Sequence, residues 1–101
     1  MATQTEKARQ FKALHEGAEP FVIGNPWDAG TARILTALGF SALSTTSAGL
    51  AFTLGRRDGT ASVTREEALA NARAIVDATP LPVAADLENG YGCLLYTSRC
   101  V

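Results

Sequence analysis

Leu81-Pro82-Val83-Ala84-Ala85-Asp86-Leu87-Glu88-Asn89-Gly90-Tyr91-Gly92 opens as a short apolar run and closes on two acids and a glycine-rich turn. Val83-Ala84-Ala85 suits a strand covered on both faces, as in a parallel sheet, and the spacing predicts a strand over Pro82 to Glu88. Working outward, Thr64-Arg65-Glu66-Glu67 is a capping-box sequence that starts a helix. That helix is predicted to run to about Ala78, with Ala68, Ala72, Ile75 and Val76 on one face, and Pro80 and Pro82 end it. Before it, Thr46 to Ser62 reads as a long Gly/Ser/Thr-rich loop, preceded by a strand over Ser41 to Thr45. A helix is predicted from Ala29 to Leu38, with Ile34, Leu35 and Leu38 as its apolar stripe and Gly39 as its cap. Pro20 to Gly24 forms a first strand, ending in the turn cluster Asn25-Pro26-Trp27-Asp28. Thr5 to Glu16 forms a leading helix with Ala8, Phe11 and Leu14 at helical spacing, and Gly17 stops it. The order is α, then β-α-β-α-β, which implies right-handed crossovers and a parallel α/β sheet.

Composition narrows the function classes. The chain has 101 residues, with 9 Lys+Arg against 10 Asp+Glu and a formal charge of −1. Such a chain, without a basic cluster, is a poor nucleic-acid binder. At 47% hydrophobic and 19% charged residues it is globular rather than disordered. It has no window of ~18 uninterrupted apolar residues, so no membrane span is expected. The polar start from Met1 to Lys12 is no secretory signal, and a cytoplasmic location is expected. One small domain is the prior, and a complete (β/α)8 barrel of ~250 residues cannot fit. Cys93 and Cys100, with the single His15, form no metal-binding pattern and need no disulfide framework. His15 reads as a solvated helix-end residue. The tail Cys93 to Val101 shows neither helical period nor alternation. It resembles a translated adapter sequence and is expected to be foreign to the natural protein. Residues 1–92 are therefore taken as the partial domain and 93–101 as a non-native tail.

Ligands of parallel α/β folds bind at the carboxyl ends of the strands. Those ends carry Asn25, Trp27 and Asp28, then Thr45 to Gly49, then Asp86, Glu88 and Asn89. The opposite ends carry Pro20, Ser41 and Pro82, which read as plain connections. On an extended strand Asp86 and Glu88, two apart, would project from one face. Two adjacent carboxylates repel unless a cation joins them, and Mg2+ takes one or two carboxylates plus waters and substrate oxygens. A solvated pair at a strand end is the plainer reading of the same spacing. Asp58 could reach the same place through water, or simply form a turn. The small residues of Thr45 to Gly49 would let backbone N–H groups approach an anion, or would serve as an ordinary loop. Arg56 and Arg57 are either a carboxylate clamp or surface charges. Trp27 reads first as a packing residue, and Gly90-Tyr91-Gly92 as a turn.

Four motifs in order carry a resemblance. They are Asn25-Pro26-Trp27-Asp28-Ala29-Gly30-Thr31-Ala32-Arg33, Thr45-Thr46-Ser47-Ala48-Gly49, Leu54-Gly55-Arg56-Arg57-Asp58 and the stretch from Leu81 to Gly92. With them the chain resembles the N-terminal part of the isocitrate lyase/phosphoenolpyruvate mutase superfamily. The resemblance implies about three strands, with flanking helices, of a (β/α)8 barrel, and a full-length protein that is a homo-oligomer. It implies Mg2+, or Mn2+ in its place, and a small 2-hydroxy or 2-oxo carboxylate whose C–C or P–C bond is made or broken through an enolate-type or metaphosphate-like species. By position, Asp86 matches the metal-ligand Asp, Glu88 the second acid of that strand, and Asp58 the loop carboxylate that holds the metal through water. Thr46, Ser47 and Ala48 match the segment that binds the substrate carboxylate or phosphonate. The general base is expected beyond this segment.

The resemblance also has departures. Mutase members commonly have Asp where Glu88 stands, and the Lys-Cys-Gly-His lid of lyase members is missing after the Gly-Tyr-Gly turn. Cys93, flanked by Gly92 and Leu94, is not that lid's cysteine. A carbon–carbon lyase or hydrolase of the 2-methylisocitrate lyase or oxaloacetate decarboxylase kind is the first expectation, and a phosphonate-type mutase the alternative. A small non-catalytic α/β binding protein is the reading of another class. It would require three open-edged strands to fold cooperatively alone, whereas the isolated chain is expected to aggregate or stay partly molten. A Rossmann-type fold is disfavoured, since the first strand opens into Asn25-Pro26-Trp27 rather than a Gly-x-Gly-x-x-Gly turn.

Overall fold

The computed structural model describes residues 3–59 and 62–91. The proposed tail, 93–101, and both cysteines lie outside the described residues. The elements are α1 (Gln4–Glu16), β1 (Ile23–Gly24), α2 (Ala29–Ala37), β2 (Ala42–Ser44), α3 (Ser47–Thr53), α4 (Arg65–Ala78) and β3 (Val83–Ala84). The strands form one parallel sheet in the order β1-β2-β3. Ile23 is level with Ala42, and Leu43 with Val83. This is the expected parallel α/β order, and it matches the N-terminal portion of a (β/α)8 barrel.

Local chemistry sets the helix ends. Thr3 caps α1 by accepting from the Glu6 N–H. Asp28 caps α2, and the Thr31 hydroxyl completes a reciprocal capping box. The α2 exit has Gly39 at φ 98°, with Gly39 N–H donating to Thr36 O and Phe40 N–H to Leu35 O. That double bond pattern is a Schellman turn, in which a left-handed position favours glycine. Thr64 and Glu67 form the expected box at the start of α4.

The core under the sheet is Ala32, Leu43 and Ile75, flanked by Leu35, Phe40, Ala78, Leu81 and Val83. A second cluster, Leu50, Ala51, Val63 and Ala68, lies between α3 and α4, and Tyr91 packs against it. Gly24 is held to its size in β1, where a Cβ would meet Leu35, Phe40 and Leu43 side chains at 3.2–3.3 Å. The expected α4 face is the buried one, with Ala68 and Ile75 buried and Ala72 and Val76 half-buried.

Three expectations are corrected. The loop predicted over Thr46 to Ser62 begins with a helix, α3, because Thr46 caps it and Leu50 and Ala51 find a buried partner surface. The third strand ends at Ala84 rather than Glu88, because Asp86 turns its carboxylate onto the Glu88 N–H and Glu88 enters the left-handed region at φ 51°. Of the expected α2 stripe only Leu35 packs on the core; Ile34 is 59% and Leu38 71% exposed, while Ala32 is fully buried. No described helix is long and apolar enough to cross a membrane.

Candidate functional site

The carboxyl ends of the strands meet through hydrogen bonds rather than apolar packing. Asn25 Nδ2 donates to Ser44 O at 3.2 Å, tying the end of β1 to β2. Thr45, buried just past β2, accepts the Asp86 N–H on its hydroxyl at 2.8 Å, while its own N–H donates to Ala84 O. Asp86 returns the link, with its Oδ2 accepting the Ser47 N–H at 3.1 Å and its Oδ1 the Glu88 N–H at 3.1 Å. One acid thus joins the start of α3 to the end of β3.

Electrostatics follow from this geometry. The Ser47 N–H, then the Glu88 N–H, hold the Asp86 carboxyl below the ordinary aspartate range, against a smaller opposing effect of burial. Tyr91 is the counterpart. Burial first, then a hydrogen bond to Glu88 and the negative charges of Glu88, Asp86 and Asp58, push its phenol up to about 12. All three acids singled out in the sequence therefore act on one hydroxyl.

The expected anion-binding segment occupies the first turn of α3. Thr46 Oγ1 accepts the Gly49 N–H at 3.2 Å, so its hydroxyl serves as the helix cap. The Ser47 N–H, expected to face a substrate carboxylate, faces the Asp86 carboxylate. Ala48 is half-buried in the same turn. Metal acid and anion loop, expected as separate features, are in direct contact.

Trp27 packs, as expected. Its ring lies over Gly49, where a Cβ would fall 2.3 Å from the indole, and it meets Phe52 edge-on at 5.9 Å between ring centroids. Asn71 Nδ2 donates to Trp27 O at 3.0 Å, tying the turn after β1 to α4. Arg56 is committed to structure, with Nη1 2.6 Å from Glu67 Oε1 and 3.0 Å from Ser62 O. His15 is exposed, its Nδ1 2.7 Å from Phe11 O, within a cluster of edge-on rings with Phe11 and Phe21.

One charged residue escaped the sequence reading. Lys7 is only 7% exposed, and its Nζ donates to Val76 O at 3.1 Å and Thr79 O at 2.9 Å, at the end of α4 opposite the acids. The signal was there: Lys7, Phe11 and Leu14 lie at i, i+4 and i+7, on one face of α1.

Among the described residues, no three His, Cys, Asp or Glu groups gather as a ready metal cluster. The donor chemistry nevertheless fits a hard cation. Asp86, Glu88 and Asp58 offer only oxygen, and Mg2+ needs one or two carboxylates with waters completing its shell. Each Asp86 oxygen accepts one N–H in the bonds above and has a further acceptor site.

Residues 11–96 match the family model described as phosphoenolpyruvate phosphomutase. The uncharacterized protein Rv1998c of Mycobacterium tuberculosis is 40% identical over 83 residues, which cover 80% of this chain and 31% of that protein. The 2,3-dimethylmalate lyase of Eubacterium barkeri is 39% identical over 95 residues, covering 93% of this chain and 32% of the enzyme. A crystal structure of a candidate lyase/mutase from Burkholderia cenocepacia J2315 superposes with a TM-score of 0.82 at 50% identity, over 87% of this chain and 31% of that one. The chain thus spans about a third of the length of the relatives it matches.

Proposed function

The chain belongs to the phosphoenolpyruvate phosphomutase family, within the isocitrate lyase/phosphoenolpyruvate mutase superfamily, and from that membership we propose that it is part of a Mg2+-dependent carbon–carbon lyase-type enzyme. The substrate class is a small 2-hydroxy or 2-oxo carboxylate, as in 2-methylisocitrate lyase or oxaloacetate decarboxylase chemistry, with an enolate-type intermediate. The observation that carries the reading is the Asp86 carboxylate held against the Ser47 N–H at the strand ends. This contact sets a fixed negative charge beside a turn of small residues that can approach a ligand closely.

In this reading Asp86 holds the cation, with Glu88 and Asp58 contributing directly or through water. Bound there, Mg2+ supplies Lewis-acid withdrawal of charge from the reacting carboxylate. The first turn of α3, Thr46 to Ala48, orients the substrate's far end through backbone N–H groups and hydroxyls. Trp27 over Gly49 keeps that turn fixed in place. The general base belongs to strands beyond this segment, and the full-length protein works as a homo-oligomer.

Glu88 in place of the mutase Asp and the similarity to 2,3-dimethylmalate lyase favour the lyase class. The phosphonate mutase alternative draws on a candidate phosphonomutase from Burkholderia cenocepacia J2315, 41% identical with a TM-score of 0.79. The test is a panel assay of the full-length protein after metal removal and Mg2+ return. Mg2+-restored release of a 2-oxo acid from branched 2-hydroxy diacids, or decarboxylation or hydrolysis of oxaloacetate, supports the lyase reading. Interconversion of phosphonopyruvate and phosphoenolpyruvate instead would select the mutase. Turnover of neither class would remove the proposal.

A further inference from the structure

We propose that Thr45 is a positioning residue for Asp86: its hydroxyl stands in for a backbone carbonyl as the last rung between β2 and β3, and so fixes where the acid leaves the sheet. The inference rests on the Mg2+ reading above and adds to it a residue that acts through Asp86.

The ladder itself carries it. Leu43 N–H donates to Pro82 O at 3.0 Å and Thr45 N–H to Ala84 O at 2.9 Å. With the even spacing of parallel bonds, the next rung would bring the Asp86 N–H to the backbone carbonyl of Thr45. It goes instead to the Thr45 hydroxyl, at 2.8 Å. The Thr45 carbonyl accepts from a different donor, the Ser44 hydroxyl, at 3.2 Å. β3 therefore parts from β2 at this rung and is fastened there by a side chain.

That fastening decides where the carboxylate lies. Asp86 Oδ2 accepts the Ser47 N–H and Oδ1 the Glu88 N–H, but these bonds hold the side chain and not the Asp86 backbone. Of these three partners of Asp86 only Thr45 is buried; Ser47 is half-buried and Glu88 exposed. The Thr45 hydroxyl is thus the fixed point from which the acid projects. A valine would suit the end of a strand equally well, so strand preference leaves the hydroxyl unexplained. With valine the Asp86 N–H would lose its acceptor or fall back on the regular rung, and either outcome moves the carboxylate relative to Ser47. Partners behind metal ligands commonly act in this way.

The probe is Mn2+ binding to the full-length protein, followed by water-proton relaxation. Hydrogen exchange of the Asp86 amide is a second readout that needs no metal. Thr45→Val is expected to weaken Mn2+ about tenfold, the lower end of the cost of removing such a partner, and to speed exchange at the Asp86 amide. Thr45→Ser keeps the hydroxyl and is expected to leave both near the parent values. Parent-like Mn2+ affinity in Thr45→Val overturns the proposal, as does weakened affinity with an unchanged Asp86 amide. So does an equal loss in Thr45→Val and Thr45→Ser, since side-chain volume and not the hydroxyl would then matter. Should Thr45→Val fail to fold, exchange decides. An Asp86 amide that is unprotected in the parent overturns the proposal, and one protected in both the parent and Thr45→Ser supports it. Asp86→Asn separates the two readings. Parent-like Mn2+ binding there sinks the metal site and the role of Thr45 together, whereas weakened binding there beside a parent-like Thr45→Val sinks only the latter.

Discussion

The two ends of the small sheet use charge in opposite ways. At the amino end a lysine is buried, and its ammonium is committed to the carbonyls of Val76 and Thr79. Beside it Thr79, fully buried, shares a 2.7 Å hydroxyl contact with Thr36 and accepts the Leu81 N–H. At the carboxyl end Asp86 also meets backbone groups, two N–H donors, but it stays at the surface. A buried charge must be satisfied by the protein itself, whereas an exposed one held in place remains able to receive a ligand. In barrels of this kind one face serves stability and the other chemistry, and here the division shows in how each charge is partnered.

Substitutions in the full-length protein can break that contrast. The largest effect is expected for Asp86→Asn, which removes the exposed charge: turnover on the substrate found by the panel assay falls at least ~10²-fold, as for loss of one electrostatic stabiliser. Near-normal turnover with unchanged Mg2+ dependence would remove Asp86 from the site. Lys7→Met is the mirror case. It leaves two helix-end carbonyls without their donor and is expected to cost about 2 kcal/mol in denaturant unfolding, with turnover unchanged. A drop in turnover matching that of Asp86→Asn would mean that the two ends are not separate.

Smaller changes sharpen the picture. Gly49→Ala forces the Trp27 ring aside and is expected to cost about 1 kcal/mol, low for an overpacked site because Trp27 is 44% exposed and can swing outward. Trp27 is the one tryptophan of these 101 residues, so the difference in fluorescence emission between parent and variant reports the movement. The smallest effect is at Arg56. Its hydrogen bond, then the Thr64 N–H, lowers the Glu67 carboxyl from 4.5 to about 2. A depressed acid contributes stability that is fully present above the unfolded pKa and lost as pH falls through the folded one. Melting temperature should therefore fall as pH drops from about 4.5 towards 2, and Arg56→Met should flatten that slope. An identical acid limb in the variant would show that the pair contributes nothing.

What could be read from the sequence was whatever depends on neighbours in the chain. The α4 box is written in Thr64 and Glu67, and the α2 exit in Gly39. The parallel order follows from alternating elements, and the polar bias towards one set of strand ends is visible in Asn25, Thr45 and Asp86. What could not be read depends on distant partners. The α3 segment Ser47-Ala48-Gly49-Leu50-Ala51 has a loop's composition and is helical because Val63 and Ala68 cover Leu50 and Ala51. Asp86 and Glu88 looked like a strand pair, but an aspartate can bond its own backbone two residues on, and here it does. Ile34, Leu35 and Leu38 share a helical stripe, yet the core takes Leu35 and Ala32 and leaves Ile34 and Leu38 outside. Tyr91 looked like part of a turn because the three acids around it come from two separate loops.

The Lys7 contacts have a further consequence, in the order of synthesis. Thr79 follows Lys7 by 72 residues, an interval of about 4 to 14 s at ~5–20 residues per second. For that time α1 leaves the ribosome with its ammonium in water and its apolar side uncovered. Of the described helices α1 is made before α4, yet this contact cannot fasten it until α4 has emerged. Asp86 emerges later still, so the acid end of the sheet is assembled after the lysine end can already be closed.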